Sequence, residues 1–168
     1  MRSGSIAAWW TTKIRQFASH VRARVTPAER DALRGWLTPA QLGLFDRMHV
    51  ADRRHGLDVV TSLRAAGVHD PEALLAGLLH DAGKGATGVW PRVAWSLGQL
   101  GGDHALRAAG RLPGMSAPLE RLRDHAEASA QLAAAAGCPP RTVELIRHQE
   151  TPRDQEFGEL LRLADEAN

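Results

Sequence analysis

The chain has 168 residues, 43% hydrophobic and 24% charged, a size and balance that suit one globular domain and exclude a disordered tail or a collagen-like repeat. Its 21 basic and 19 acidic residues leave a net charge of +2, far short of the basic excess that marks a nucleic-acid binder. No apolar run approaches the roughly 18–20 residues that cross a bilayer, and the apolar patch before Lys13 is too short for a signal-peptide core, so a cytoplasmic protein with no membrane partner is expected.

The periodicity is helical almost throughout, and an all-α bundle is the predicted fold. Residues 4–24 place Ile6, Trp9, Trp10, Ile14, Phe17 and Val21 at three- and four-residue spacings, which reads as an amphipathic helix. Thr26-Pro27 and Thr38-Pro39 each put a hydroxyl N-cap before a proline at the first helical position, predicting short helices over 27–36 and 39–48. A longer helix over 50–66 stops at Gly67, and Asp70-Pro71 caps the next, whose run from Ala73 to Leu79 is apolar on nearly every side and must be buried. Gly83, Gly85 and Gly88 end that central helix. Further helices are predicted over 90–100, 104–111, 117–136 with a break near Asp124, 140–150 and 154–167. The alanines of 126–136 allow close helix approach, and a boundary near residue 37 would divide an N-terminal helical extension, 1–37, from the main bundle, 38–168.

With one cysteine, Cys138, the chain has no internal disulfide and no cysteine-built zinc site, so a metal must rest on His, Asp and Glu. His80-Asp81, at the end of the apolar helix, is the informative pair. An imidazole and a carboxylate in low-dielectric surroundings are costly to bury, and a divalent cation compensates both. His55, His125, His148 and Asp165 fall on separate predicted helices beside core stripes. Helix bundles build metal sites by projecting ligands inward in this way, and two metals sharing one carboxylate need five or six such ligands. Of 21 basic residues only Lys13 and Lys84 are lysines, so Lys84, four after His80, stands out where arginine serves elsewhere.

Leu78-Leu79-His80-Asp81-Ala82-Gly83-Lys84, with His55 before it and Asp165 far after it, resembles the signature of the HD-domain metal-dependent phosphohydrolases over roughly residues 38–168. The string is similar to the version in HD-GYP cyclic-dinucleotide phosphodiesterases. His125 and His148 resemble the extra ligands of the dinuclear branches, which include the symmetrical dinucleoside tetraphosphate hydrolases. The chain departs from HD-GYP domains in reading His148-Gln149-Glu150 and in having no tyrosine. Phe45 to His55 resembles a group of small bacterial HD-domain proteins.

The resemblance implies two divalent transition-metal ions, iron or manganese before cobalt or zinc. His55, His80, Asp81 and Asp165 would hold one ion, and Asp81, the bridging and catalytic carboxylate, would share a second with His125 and His148. Water activated by the ions would attack a phosphomonoester, phosphodiester or phosphoanhydride of a nucleotide-type substrate. Lys84 would stabilise the phosphoryl group, and Arg54, Arg92 and Arg147 could clamp further phosphates. Asp58 could orient His55 or pair with Arg54, and His49 lies close enough to His55 to support it from behind. His20, His69 and His104 read as structural, and Trp90 and Trp95 as core, with a nucleobase contact the alternative. The rival readings are a non-catalytic nucleotide-binding regulatory HD domain and a helical interaction module whose histidines are incidental.

Overall fold

The computed structural model describes residues 23–85 and 115–168. The helices expected over 4–24, 90–100 and 104–111, with Arg92, Trp90, Trp95, His20 and His104, lie wholly or almost wholly outside the described residues. Among the described residues every regular element is helical: α1 (Pro27–Leu33), α2 (Pro39–Arg47), α3 (Val50–Ala65), α4 (Pro71–Leu79), a 3-10 turn (Ala82–Lys84), α5 (Ser116–Arg123), α6 (His125–Ala135), α7 (Pro140–Arg147) and α8 (Gly158–Ala167). None of these helices is long and apolar enough to cross a membrane.

The starts follow from the caps. Thr26 and Thr38 form full capping boxes with Glu29 and Gln41, and Asp70 Oδ1 accepts from the backbone of Glu72 and Ala73 at 2.9 Å each. Each of these helices also has proline in its first turn, where the missing N–H costs nothing. The expected break falls at Asp124, between α5 and α6. Three boundaries differ from expectation by three residues or more: α1 stops at Leu33, α7 stops at Arg147 and α8 starts only at Gly158. In between, Asp154 Oδ1 accepts from the backbone of Glu156 and Phe157, while its carboxylate takes Arg141 Nε at 2.7 Å. The Arg141 guanidinium also covers the Phe157 ring at 4.6 Å. The Arg141 bond, ahead of the two backbone amides, holds the Asp154 carboxyl down at about 2. This local network outcompetes helix propensity over 154–157 and fixes where α8, the carrier of Asp165, begins.

At the centre lies α4, every residue of which from Ala73 to Leu79 is buried. It packs against α3, α7, α8 and α2, which is why its sequence shows no polar face. A fully buried leucine contributes about 1.5–3 kcal/mol of transfer free energy, so Leu74, Leu75, Leu78 and Leu79 make this helix the main hydrophobic anchor. Leu33 and Leu37 share the same core as Leu44 and Phe45, so α1 and the turn after it are built onto the bundle. Arg30 to Asp46 and Arg54 to Glu29 add ion pairs across that contact.

Candidate metal centre

His80 and Asp81 follow directly on the last residue of α4, and both are almost fully buried, at 1% and 2% exposure. The chain does not continue as an α-helix here; it tightens into the 3-10 turn, with Lys84 N–H donating to the Asp81 carbonyl at 3.1 Å. Lys84 thus stands three residues from Asp81 in a 3-10 repeat, and its Nζ reaches Asp81 Oδ2 at 2.6 Å. Burial pushes the Lys84 ammonium down, but Asp81 and then Asp52 more than offset it, so the side chain is firmly cationic.

Close backbone approach brings the other elements in. A Cβ on Gly56, the neighbour of His55, would lie 2.4 Å from the Leu78 carbonyl oxygen, so α3 can cross α4 at this depth only with glycine there. Gly83 plays the same part toward α6: a Cβ would fall 2.5 Å from Ser129 N and 2.6 Å from the His125 carbonyl oxygen. Gly83 N–H instead donates to the buried Ser129 hydroxyl at 2.7 Å, which locks the turn to the first turns of α6. Gly83→Ala is accordingly expected to cost about 1–3 kcal/mol of stability by overpacking, read as a lower urea midpoint, and to displace His125 from Asp81. An unchanged midpoint would contradict this packing.

Three donors converge: His55 Nε2 lies 2.7 Å from Asp165 Oδ1, and His80 Nε2 lies 3.3 Å from the same oxygen. One ligand atom from each of His55, His80 and Asp165 falls within 4.8 Å of the others, and this group can hold a metal ion. Asp81 Oδ1 flanks it at 3.5 Å from His80 Nε2, with His125 Nε2 at 3.7 Å on its other side. Donors about 2.0–2.2 Å from a common ion stand at comparable mutual separations.

The rings are oriented by backbone carbonyls. His80 Nδ1 meets the Gly77 carbonyl oxygen at 2.9 Å and His125 Nδ1 meets that of Leu122 at 2.7 Å. In each ring Nδ1 is then the N–H donor, and Nε2 of the neutral ring carries the lone pair that a metal would use. His80 Nε2 and Asp81 Oδ1 are buried without a hydrogen-bond partner among the described residues. Two acceptors cannot face each other here without a positive charge between them: with no metal a proton on His80 Nε2 fills that role, and a divalent cation placed there would satisfy both. The electrostatics agree. Burial alone would lower the His80 pKa, but the Asp81 and Asp165 carboxylates overcome it and raise it to about 9. Burial likewise pushes Asp81 and Asp165 up, yet His80 and Lys84 hold Asp81, and His80 and His55 hold Asp165, well below the usual carboxylate range. His125, lowered by burial and by Lys84, favours its neutral, ligating form. The pocket is thus one in which carboxylate charge calls for a positive partner.

His55, His80, Asp81, Asp165, His125 and Lys84 are therefore brought together. His148 is not in the three-residue group; its Nε2 lies 3.5 Å from Glu144 Oε2, one turn back on α7. Arg54 is held by Glu29 and Asp58, and Arg147 by Glu127 and Glu144, so two of the three arginines proposed as phosphate clamps already have carboxylate partners. Of the alternatives for Asp58, the pairing with Arg54 is the one found. His49 caps α3, accepting from Ala51 N–H at 3.3 Å. Sequence reasoning passed over Ser129, four residues after His125, and the carbonyl of Gly77, three before His80; these i, i+3 and i, i+4 offsets were the available signal. Gln149, noted above only as a departure from a motif, is buried and its Nε2 reaches the His80 carbonyl at 3.4 Å. No family model, no curated protein and no solved structure matches the chain.

Proposed function

We propose that the chain is a metal-dependent phosphohydrolase of the HD-domain type, acting on a phosphomonoester, phosphodiester or phosphoanhydride of a nucleotide-type molecule. The observation that carries this reading is the pair His80 Nε2 and Asp81 Oδ1, buried with no hydrogen-bond partner, beside Asp165 and His55, with the Lys84 ammonium set against the same carboxylate. His55, His80, Asp165 and Asp81 would hold the first ion, and Asp81 with His125 would reach a second. In the HD-like ligand order His148 would complete the second set, which requires it to leave Glu144. Mixed imidazole and carboxylate donors suit iron or manganese, with cobalt or zinc next, and disfavour magnesium. When bound, such ions lower the pKa of a water and neutralise charge on a phosphoryl oxygen.

The remaining work falls to side chains already in place. Lys84 is tied to Asp81 Oδ2, so its ammonium sits next to the metal ligands, where its charge would face a phosphoryl oxygen bound there. The Asp81 carboxylate that holds it is itself buried, which strengthens that charge interaction. Gly77 and Leu122 keep the ligating nitrogens aimed inward whether or not substrate is present.

The test is turnover of bis-p-nitrophenyl phosphate before and after metal removal. Activity is expected to fall to background on dialysis against a chelator and to return on adding Mn2+ or Fe2+. Turnover that survives chelation, with metal shown to be gone, would defeat the reading.

A further inference from the structure

Several arginines on the elements that carry the ligands are matched to carboxylates: Arg54 to Glu29 and Asp58, Arg147 to Glu127 and Glu144, Arg123 to Asp124. Arg121 is different. It is exposed on α5 and makes no ion pair or hydrogen bond from its side chain among the described residues. Its stem lies over the end of the ligand turn, with Cδ 4.0 Å from where a Cβ on Gly85 would sit. Gly85 has φ +60° and follows directly on Lys84. Two cations therefore flank one turn, one tied to Asp81 and one with its guanidinium uncommitted.

The placement of Arg121 is linked to the site. The next residue, Leu122, gives the carbonyl that orients His125, and α5 packs against the 3-10 turn. A guanidinium presents a rigid fork of donors that matches two phosphate oxygens at once, while an ammonium acts as a compact point charge. Lys84, against the ligand carboxylate, suits the phosphoryl group under attack, and Arg121, displaced from it along the turn, suits the neighbouring one. An uncommitted fork gains more from a phosphate carrying two negative charges than from a singly charged diester.

We propose that Arg121 clamps the phosphate next to the one cleaved, so that the preferred substrates carry two or more linked phosphates. This rests on the hydrolase reading above. In the reaction the oxygen of water bonds to the terminal phosphorus and the bond from that phosphorus to the bridging oxygen breaks. The bridging oxygen leaves with its electron pair on the phosphate held by Arg121, and the protons of water pass to the leaving phosphate and to solvent.

The experiment compares the parent protein with Arg121→Gln, an exposed substitution that leaves the core untouched, in buffer with excess Mn2+. Hydrolysis of inorganic pyrophosphate and of bis-p-nitrophenyl phosphate is measured, together with pyrophosphate binding by calorimetry. The expected result is a rise of roughly tenfold or more in pyrophosphate KM and dissociation constant, with bis-p-nitrophenyl phosphate kinetics within about twofold of the parent and metal content unchanged. Arg121→Lys should recover only part of the loss. Pyrophosphate binding that is absent in the parent, or equal in parent and variant, overturns the clamp, even where the diester is still hydrolysed. Arg121-dependent binding without hydrolysis of either compound would instead uphold the clamp and remove the hydrolase reading.

Discussion

Asp81→Ala is expected to abolish hydrolysis and to strip the protein of its metal, while His69→Ala, at an exposed position in the turn before α4, does neither. The size of the effect follows from what Asp81 touches. One oxygen, Oδ1, lies between His80 Nε2 at 3.5 Å and His125 Nε2 at 3.7 Å, and the other holds Lys84 at 2.6 Å. Alanine removes the negative charge that would balance the proposed ions and the acceptor that fixes the ammonium. Metal stabilisation of a phosphoryl transition state is worth several kcal/mol, and each 1.36 kcal/mol is tenfold, so turnover should fall by more than about a thousandfold. Asp81→Asn keeps the shape but turns an N–H2 or a neutral oxygen toward Lys84, and should recover little. The readouts are diester turnover and metal per chain. Near-normal turnover in Asp81→Ala would show that the reaction, if present, runs elsewhere on the molecule.

The second large effect is expected at Lys84. A cation that merely complements the end of a helix contributes roughly 0.3–1 kcal/mol to stability, whereas a charge directed at a transition-state oxygen contributes about 2.7–4 kcal/mol to the barrier. Lys84→Met keeps much of the apolar stem and removes the charge. Turnover should then fall roughly 100-fold or more with metal content intact. Lys84→Arg should rescue poorly, because the planar fork cannot occupy the place of a compact ammonium 2.6 Å from Asp81 Oδ2. The geometry adds a second way to be wrong: if Lys84 serves only to hold Asp81, the Met variant loses metal and activity together. Turnover within threefold of the parent would leave Lys84 with no part in the reaction.

Much of the fold was legible because its signals are local. The Thr-Pro and Asp-Pro pairs start α1, α2 and α4 where expected, since cap and proline act within one turn of chain. The burial of α4 was equally plain from Ala73 to Leu79, a stretch with no polar residue to expose. The helix ends were less legible where tertiary partners decide them. Arg141 and Asp154 are 13 residues apart, and their pairing is what delays α8 to Gly158.

The same division holds at the site. His80-Asp81 could be picked out because ionisable neighbours at the end of a buried helix need a compensating charge, and His55 and Asp165 do meet there across 110 residues of chain. That His148 turns to Glu144 and that Arg54 and Arg147 are taken by acidic partners depends on packing between helices, to which helical periodicity is blind. Gly56 and Gly83 read as ordinary helix or turn glycines; only the crossing of α3 over α4 and of the 3-10 turn over α6 shows that a methyl group has no room at either. Residues that look inert in sequence thus set the distances on which the metal group depends.

The most direct measurement is the metal content of protein purified without chelators, by elemental analysis, before and after incubation with Fe2+ or Mn2+. The expected result is about two equivalents of transition metal per chain, iron or manganese foremost, falling in His80→Ala and in Asp165→Ala. One equivalent that is indifferent to His125→Ala would contradict the second ion and leave a mononuclear site at His55, His80, Asp81 and Asp165. A folded chain that takes up no transition metal under either condition would contradict the central claim outright.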